Sequence, residues 1–431
     1  MSFAPYDGIT VVSEENERVI RAIGKSKQGS LDEWLKIVRP LLVKMPTRLA
    51  VAASLAAPLI QLVGALPFVY LLWGSTGHGK TVAMMVAASV WGNPEVGGGY
   101  VQTMGSTKNA TINLACFLHS LPYFGDEAKT IEAQPWFKGW DPFIYEITEG
   151  TERGRLDTDM KQRETGRHKT CFIFTGENPM TSSNSGGGTA NRLIEAKCKN
   201  LFDIPEKDQQ AVAKDVARAV RNCYGFLGPK YIAKVKELYA KESDEQGKNM
   251  LVKIYDDTVA DLRKTGTTDK QAAAMGLLMS ADDILRMYFY QSDYAGLQPK
   301  DVAPFLKSKN EVSTDVRAYN YLVNHISENL DKFEYEIGEN KHYPSNEIGK
   351  NHHYPSNTSW GRIDNNVVSI NKNVCERELK KKGFYLNRNM MDTWANRGWL
   401  KKASGNRNVH SSSMNGEPFS CYKIVLPQAN V

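Results

Sequence analysis

The sequence lacks the cysteine and histidine spacings that would build a structural metal site. Its 431 residues hold six cysteines (Cys116, Cys171, Cys198, Cys223, Cys375, Cys421), scattered and without a single C-x-x-C pair. That pattern excludes a zinc ribbon and a disulfide framework, and it fits a reducing cytosol. No basic-then-apolar leader opens the chain. Long uninterrupted hydrophobic runs are missing too. The most apolar stretch, residues 49–73, is broken by Pro58, Gln61 and Pro67, so it reads as a buried helix and then a buried strand, not a membrane span. The expectation is a cytoplasmic protein with no membrane partner. Apolar and charged fractions of 41% and 24% are those of a globular chain, long enough for two or three domains.

Neither sign of charge dominates the chain as a whole, but the excess is uneven. Residues 360–431 carry 12 Lys/Arg against 5 Asp/Glu, a local +7, which leaves residues 1–359 at −1. A near-neutral body with a basic C-terminal module implies either a polyanionic partner or a strongly solvated surface there.

What is present begins with Gly74-Ser75-Thr76-Gly77-His78-Gly79-Lys80-Thr81, a complete G-x-x-x-x-G-K-T phosphate-binding loop. The β-prone run Phe68-Val69-Tyr70-Leu71-Leu72-Trp73 enters it and the helix-forming run Val82-Ala83-Met84-Met85-Val86-Ala87-Ala88 leaves it. The glycines let successive backbone N–H groups and the next helix N-terminus converge on phosphate oxygens. Lys80 reaches the β- and γ-phosphates of ATP in such a loop, and the Thr81 hydroxyl holds Mg²⁺.

Hydrolysis needs acids beside that loop. Leu121-Pro122-Tyr123-Phe124-Gly125-Asp126-Glu127 is an apolar run ending in Asp-Glu, the form of a Walker B strand, with Asp126 on the metal and Glu127 on water. Pro122 and Gly125 are poor strand residues, so an acidic helix cap is the competing reading. Cys171-Phe172-Ile173-Phe174-Thr175 reads as a buried strand ending at Gly176-Glu177-Asn178-Pro179, where Asn178 either contacts the γ-phosphate or closes the turn. Arg192, just before the sheet signals end, either reaches a neighbouring subunit's γ-phosphate or makes a local salt bridge.

Residues 153–169 hold six Lys/Arg (Arg153, Arg155, Lys161, Arg163, Arg167, Lys169) against three acids, with glycines at both ends. They form either a hairpin that grips DNA or an exposed basic loop. Thr107-Lys108-Asn109 is a second such candidate.

Alternating strand and helix signals over 67–205 predict a parallel α/β core, preceded by a helical segment over 1–66 and followed by a helical lid over 206–300. Val212, Val216, Ala219 and Val220 share one face of the lid's first helix. Residues 301–431 are a linker and a C-terminal domain. Within it, 336–346 and 347–357 are a tandem duplication, read as a surface loop in preference to a metal site made by His342, His352 and His353. Two helical stretches (373–382 and 387–396), then a hairpin with a polar tip, outline a winged helix. Lys380, Lys381, Lys382, Arg388, Arg397, Lys401, Lys402 and Arg407 interleave there with Tyr385, Trp394 and Trp399, compatible with nucleic acid, although the tryptophans suit a core.

The order of phosphate loop, Walker B strand, basic hairpin, strand-Asn, Arg and lid resembles an AAA+ ATPase. The region 31–42, Pro58-Leu59-Ile60, Ser89-Val90-Trp91-Gly92-Asn93-Pro94, Thr175-Gly176-Glu177 and Gly383/Gly398 resemble the DUF927-type helicases of phages, pathogenicity islands and cassette chromosomes, themselves similar to MCM-like replicative helicases. Tyr123-Phe124-Gly125 is less aliphatic, and Gly150-Thr151-Glu152-Arg153-Gly154 less basic, than that pattern. The resemblance implies an ATP-driven homohexameric ring that moves on single-stranded DNA during replication of a mobile element. Lys80, Thr81, Asp126, Glu127 and Asn178 would act within one subunit and Arg192 on its neighbour, with duplex origin DNA at the winged helix. No zinc or primase module precedes the loop, so the expectation is a minimal helicase or a piece of a longer one. An ATP-switched origin-binding initiator that recruits a helicase is the alternative. A packaging or transposition ATPase is a third reading, weakened by the lid and C-terminal module.

Overall fold

The computed structural model describes residues 16–152, 154, 165–182, 185–200, 206–243, 249–335, 359–414 and 417–427. The duplicated segment, together with Arg153, Arg155, Lys161 and Arg163, lies outside the described residues. The chain forms two compact units, residues 1–309 and 310–431.

In the first unit, α1 (Leu31–Val38) and α2 (Met45–Leu62) precede β1 (Phe68–Trp73). After the phosphate loop come α3 (Lys80–Ser89), β2 (Gln102–Thr103), α4 (Lys108–Leu118), β3 (Tyr123–Asp126), α5 (Trp140–Thr148), β4 (Cys171–Gly176) and β5 (Leu193–Lys197). The five strands are parallel in the order β2-β3-β4-β1-β5. Every residue of β4 and all of β1 except Trp73 are buried. Because alternate side chains point to opposite faces, both faces of these strands are covered, which is why they read as continuous apolar runs.

Strand β3 holds despite its two misfits. Pro122 lies just before it, its carbonyl accepting a 2.5 Å bond from the Tyr100 hydroxyl, so no ladder N–H is missed. Gly125 is there because no Cβ fits: one would stand 2.8 Å from Met104 Cγ and 2.9 Å from Phe174 Cδ1. A glycine inside a strand marks just such a close approach.

Helix α2 is buried on all sides from Thr47 to Ile60, the mark of a core helix. It is long and apolar enough to cross a membrane, yet it packs against β1, β4 and α3. Two tryptophans tie these elements together. Trp91 Nε1 donates to Ser54 Oγ at 2.9 Å and Ser54 Oγ to the Ala87 carbonyl at 2.8 Å, while Trp34 Nε1 donates to Ser89 Oγ at 2.8 Å. Both indoles are fully buried with their N–H satisfied.

Helices α6 (Glu206–Arg221), α7 (Leu227–Ala240), α8 (Met250–Arg263) and α9 (Asp269–Tyr288) follow, and their buried residues belong to the same hydrophobic cluster as the sheet. Helix α9 lies along α2, and a buried bidentate pair joins them: Arg48 Nε to Asp282 Oδ1 at 2.9 Å and Nη2 to Oδ2 at 2.5 Å. Arg48 also donates to the Ala295 carbonyl and stacks 4.6 Å from the Tyr294 ring. Burial pushes the Asp282 carboxyl above its ordinary range despite these bonds.

The second unit comprises α10 (Thr314–Ser327), β6 (Phe333–Tyr335), β7 (Gly361–Asp364), β8 (Val367–Asn371), α11 (Lys372–Lys381), α12 (Arg388–Asn396), β9 (Leu400–Lys401), β10 (His410–Met414) and β11 (Glu417–Val425). Strands β10 and β11 form the antiparallel wing after the α11–α12 helix-turn-helix, and the Asn387 side chain caps α12 by accepting from Met390 N. Trp394 is wholly buried, and Trp399 stacks on Tyr319 at 4.2 Å, so both belong to the fold. Tyr385 is exposed.

Removing one member of a buried ion pair strands the other charge. Arg48→Ala is therefore expected to lower stability by about 3–5 kcal/mol in urea unfolding, and Arg48→Met with Asp282→Leu by clearly less.

Candidate nucleotide-binding site

The phosphate loop starts where β1 leaves the sheet. Gly74 has φ +145°, and a Cβ there would stand 2.5 Å from the Cys198 carbonyl oxygen, so only glycine fits. Gly77 and Gly79 are also left-handed, and Gly79 leads directly into α3. The Lys80 ammonium lies inside the curl, donating to the Gly74 and Ser75 carbonyls at 2.8 Å each. The His78 ring is turned to the body: Nδ1 is 3.2 Å from the Cys198 carbonyl oxygen, while Cys198 Sγ donates back to the His78 carbonyl.

The register brings the acids to this loop. Gly125 pairs with Phe174, so Asp126 ends beside Thr175, while Leu72 flanks Thr175 from β1. Thr81 Oγ1 is 3.1 Å from Asp126 Oδ1, and Thr175 Oγ1 donates to the same oxygen at 2.6 Å. Glu127 is exposed and takes φ +64°, its N–H donating to Thr175 Oγ1 at 3.0 Å. Glu177, one residue beyond β4, accepts from Thr76 Oγ1 at 2.9 Å and pairs with Lys129 at 3.0 Å, and the Lys129 bond holds its carboxyl below the usual range.

A cleft of about 720 Å³ opens over the loop, lined by Lys80, Thr81, Val82, Met85 and Glu127 on one side. Helix α6 forms the other side with Ala213, Lys214, Ala217, Arg218 and Arg221. An apolar wall beside four cations suits a base and polyphosphate. Of these four, Lys80 was legible in the sequence, whereas Lys214, Arg218 and Arg221 on α6 were not. The apolar face of α6 was visible, but nothing local says that its basic flank faces the phosphate loop. Arg221 is also bonded to Glu95 at 2.6 Å and Arg218 lies 3.4 Å from Asp215.

Asn178 is exposed on the turn after β4, at the same sheet edge as the loop but not among the residues lining the cleft. Arg192 sits at the opposite edge. Its carbonyl accepts from Val69 N at the start of β1, so a full strand, roughly 16–20 Å, separates it from the loop. Its guanidinium lies 4.4 Å over the Tyr145 ring and donates to the Gly188 carbonyl. One chain does not bring Arg192 to its own cleft.

The base of the basic segment is an antiparallel pair: Glu152 N donates to the Gly166 carbonyl and His168 N to the Gly150 carbonyl. It rises at the strand-entry edge, where Arg167 is exposed and Lys169 half-buried. Lys108, the second candidate, is instead held 2.7 Å from Glu146.

These features define a class: a P-loop α/β core with its acids on the second strand over, across β4, and a separate winged helix. Residues 6–166 match the model for the domain of unknown function DUF927, and residues 313–429 match that of the Cch helix turn helix domain. The first unit thus carries a DUF927-type domain and the second a Cch-type helix-turn-helix domain. Its fold is similar to a solved structure titled "SCCmec type IV Cch - active helicase", at TM-score 0.62 and 17% identity over 94% of this chain and 72% of that one. A second structure, the apo NrS-1 C terminal region, aligns at TM-score 0.31 and 10% identity over 94% and 77%. No curated protein matches the sequence.

His168 gives this region a pH signature. It is fully buried at the hairpin base with both ring nitrogens unpartnered, and burial lowers its pKa to about 4, helped by the nearby charges of His119 and Lys169. The unfolded chain binds a proton near pH 6.5 that the folded chain refuses until about pH 4. Stability is thus full above 6.5 and falls as pH drops through that window, by about 3 kcal/mol. Urea unfolding of His168→Phe from pH 7 to 4 is expected to show a loss smaller by that amount.

Proposed function

We propose that this chain is an ATP-dependent DNA helicase that works as a ring, a hexamer on the AAA+ pattern, translocating on single-stranded DNA during replication of a mobile element. The observation that carries this reading is the cluster of Lys80, Thr81, Asp126 and Glu127 at the mouth of a cationic cleft. Lys80, Gly74 to Gly79 and the α6 cations would bind the triphosphate. The Thr81 hydroxyl and Asp126 carboxylate are hard oxygen donors that already lie 3.1 Å apart, and they fit Mg²⁺ as ligands. The metal would neutralise charge on the phosphates. Glu127 would orient and deprotonate the attacking water, with Asn178 as a further γ-phosphate contact. Arg192, a strand's length from its own cleft, would serve the adjoining subunit's nucleotide.

The remaining parts are assigned by charge. Arg153, Arg155, Lys161, Arg163, Arg167 and Lys169 would contact the DNA strand in the channel, and the winged helix would bind duplex origin DNA. The fold relative described as an active helicase supports this reading, as does the helix-turn-helix match. The compartment that fits is the cytoplasm. The basic winged helix also favours an initiator that marks an origin and recruits another helicase.

A forked-duplex assay separates the two. The helicase reading predicts ATP-dependent strand displacement by the wild-type chain, reduced at least about 100-fold in Lys80→Ala. Robust DNA-stimulated ATP hydrolysis with no strand displacement would support the initiator instead.

A further inference from the structure

We propose that Thr175 is a positioning residue that sets the geometry of both acids, Asp126 and Glu127; the inference rests on the ATPase reading of the cleft. Thr175 is 1% exposed and sits on β4, between the strand that feeds the phosphate loop and the strand that carries the acids. A hydroxyl has one proton to give and two lone pairs to accept with. Here the proton goes to Asp126 Oδ1 at 2.6 Å and a lone pair takes the Glu127 N–H at 3.0 Å. The Thr175 carbonyl accepts from Ala128 N at 2.8 Å. Three consecutive residues, 126 to 128, are therefore fastened to one residue of the neighbouring strand.

The fastening matters because Glu127 is held at φ +64°, a conformation uncommon outside glycine, asparagine and aspartate. Such a residue stays there only when its surroundings insist. The bond from its N–H to Thr175 is the local constraint. It keeps the Glu127 side chain in the wall of the cleft. In hydrolysis the water oxygen bonds to the γ-phosphorus as the bond to the β–γ bridging oxygen breaks. ADP leaves with that electron pair, and the water proton passes to the Glu127 carboxylate. Thr175 touches none of the reacting atoms. It fixes where the accepting carboxylate stands and how Asp126 faces Thr81.

The test compares Thr175→Val, which keeps the shape and removes both hydroxyl bonds, with Thr175→Ser, which keeps the hydroxyl. On the full chain, Val is expected to lower kcat for ATP hydrolysis by about 100-fold and to raise the Mg²⁺ needed for half-maximal rate. Affinity for a fluorescent ATP analogue should stay within about threefold, and Ser should retain kcat within about threefold. Amide hydrogen exchange over residues 123–130 reads the same clamp without hydrolysis and should quicken in Val but not in Ser. An active wild-type chain with kcat in a folded Val variant within about twofold of it overturns the positioning role alone. A wild-type chain that binds the analogue but hydrolyses no ATP overturns the ATPase reading, while exchange still reports on the clamp. If Val does not fold, the Ser variant decides: retained kcat and protected amides support the role, and loss of kcat in folded Ser overturns it.

Discussion

The first unit is organised around one carboxylate. Asp126 accepts from Thr175 on the neighbouring strand and lies against Thr81 at the start of the helix behind the phosphate loop. Those contacts exist only if β3, β4 and β1 keep their register, since a one-residue slip would turn each side chain to the other face. The register in turn depends on Gly125, which lets Met104 and Phe174 close over β3, and on the covering of β1 and β4 by apolar side chains on both faces. Packing of α2 and α3 behind the sheet, pinned by the Trp34 and Trp91 bonds to serine, completes the support. The polar site is thus a consequence of apolar packing.

The two edges of the sheet carry different chemistry. Lys80, Asp126, Glu127, Glu177 and Asn178 gather where strands leave it. Arg192, the hairpin base and His168 gather where strands enter. Strand β4 is common to both, with Thr175 near one end and the hairpin strand running into the other. One wholly buried strand thus runs from the base of the basic segment to the cleft.

Much of this could be read from the residues alone. The phosphate loop is local: glycines, Lys80 and Thr81 lie within eight consecutive positions, so spacing carries the chemistry. The winged helix was also legible, because helical and strand periods alternate cleanly over 360–426. The sequence spoke less clearly at β3, where Pro122 and Gly125 argue against a strand until the Met104 and Phe174 contacts are known. It was silent on Lys214, Arg218 and Arg221, whose place in the cleft depends on α6 folding back over α3, and on Thr175, whose bonds to residues 126–128 cross from one strand to the next. Side chains recruited by long-range packing leave no local pattern.

In the proposed motor the nucleotide site is completed between subunits. Electron microscopy of the full chain with a non-hydrolysable ATP analogue, Mg²⁺ and forked DNA tests it most directly. The expected result is closed rings with Arg192 of one subunit at the next subunit's cleft and a single DNA strand at the 153–169 segments. Monomers bound to duplex through the winged helix alone, with Arg192 still packed on Tyr145, would contradict it.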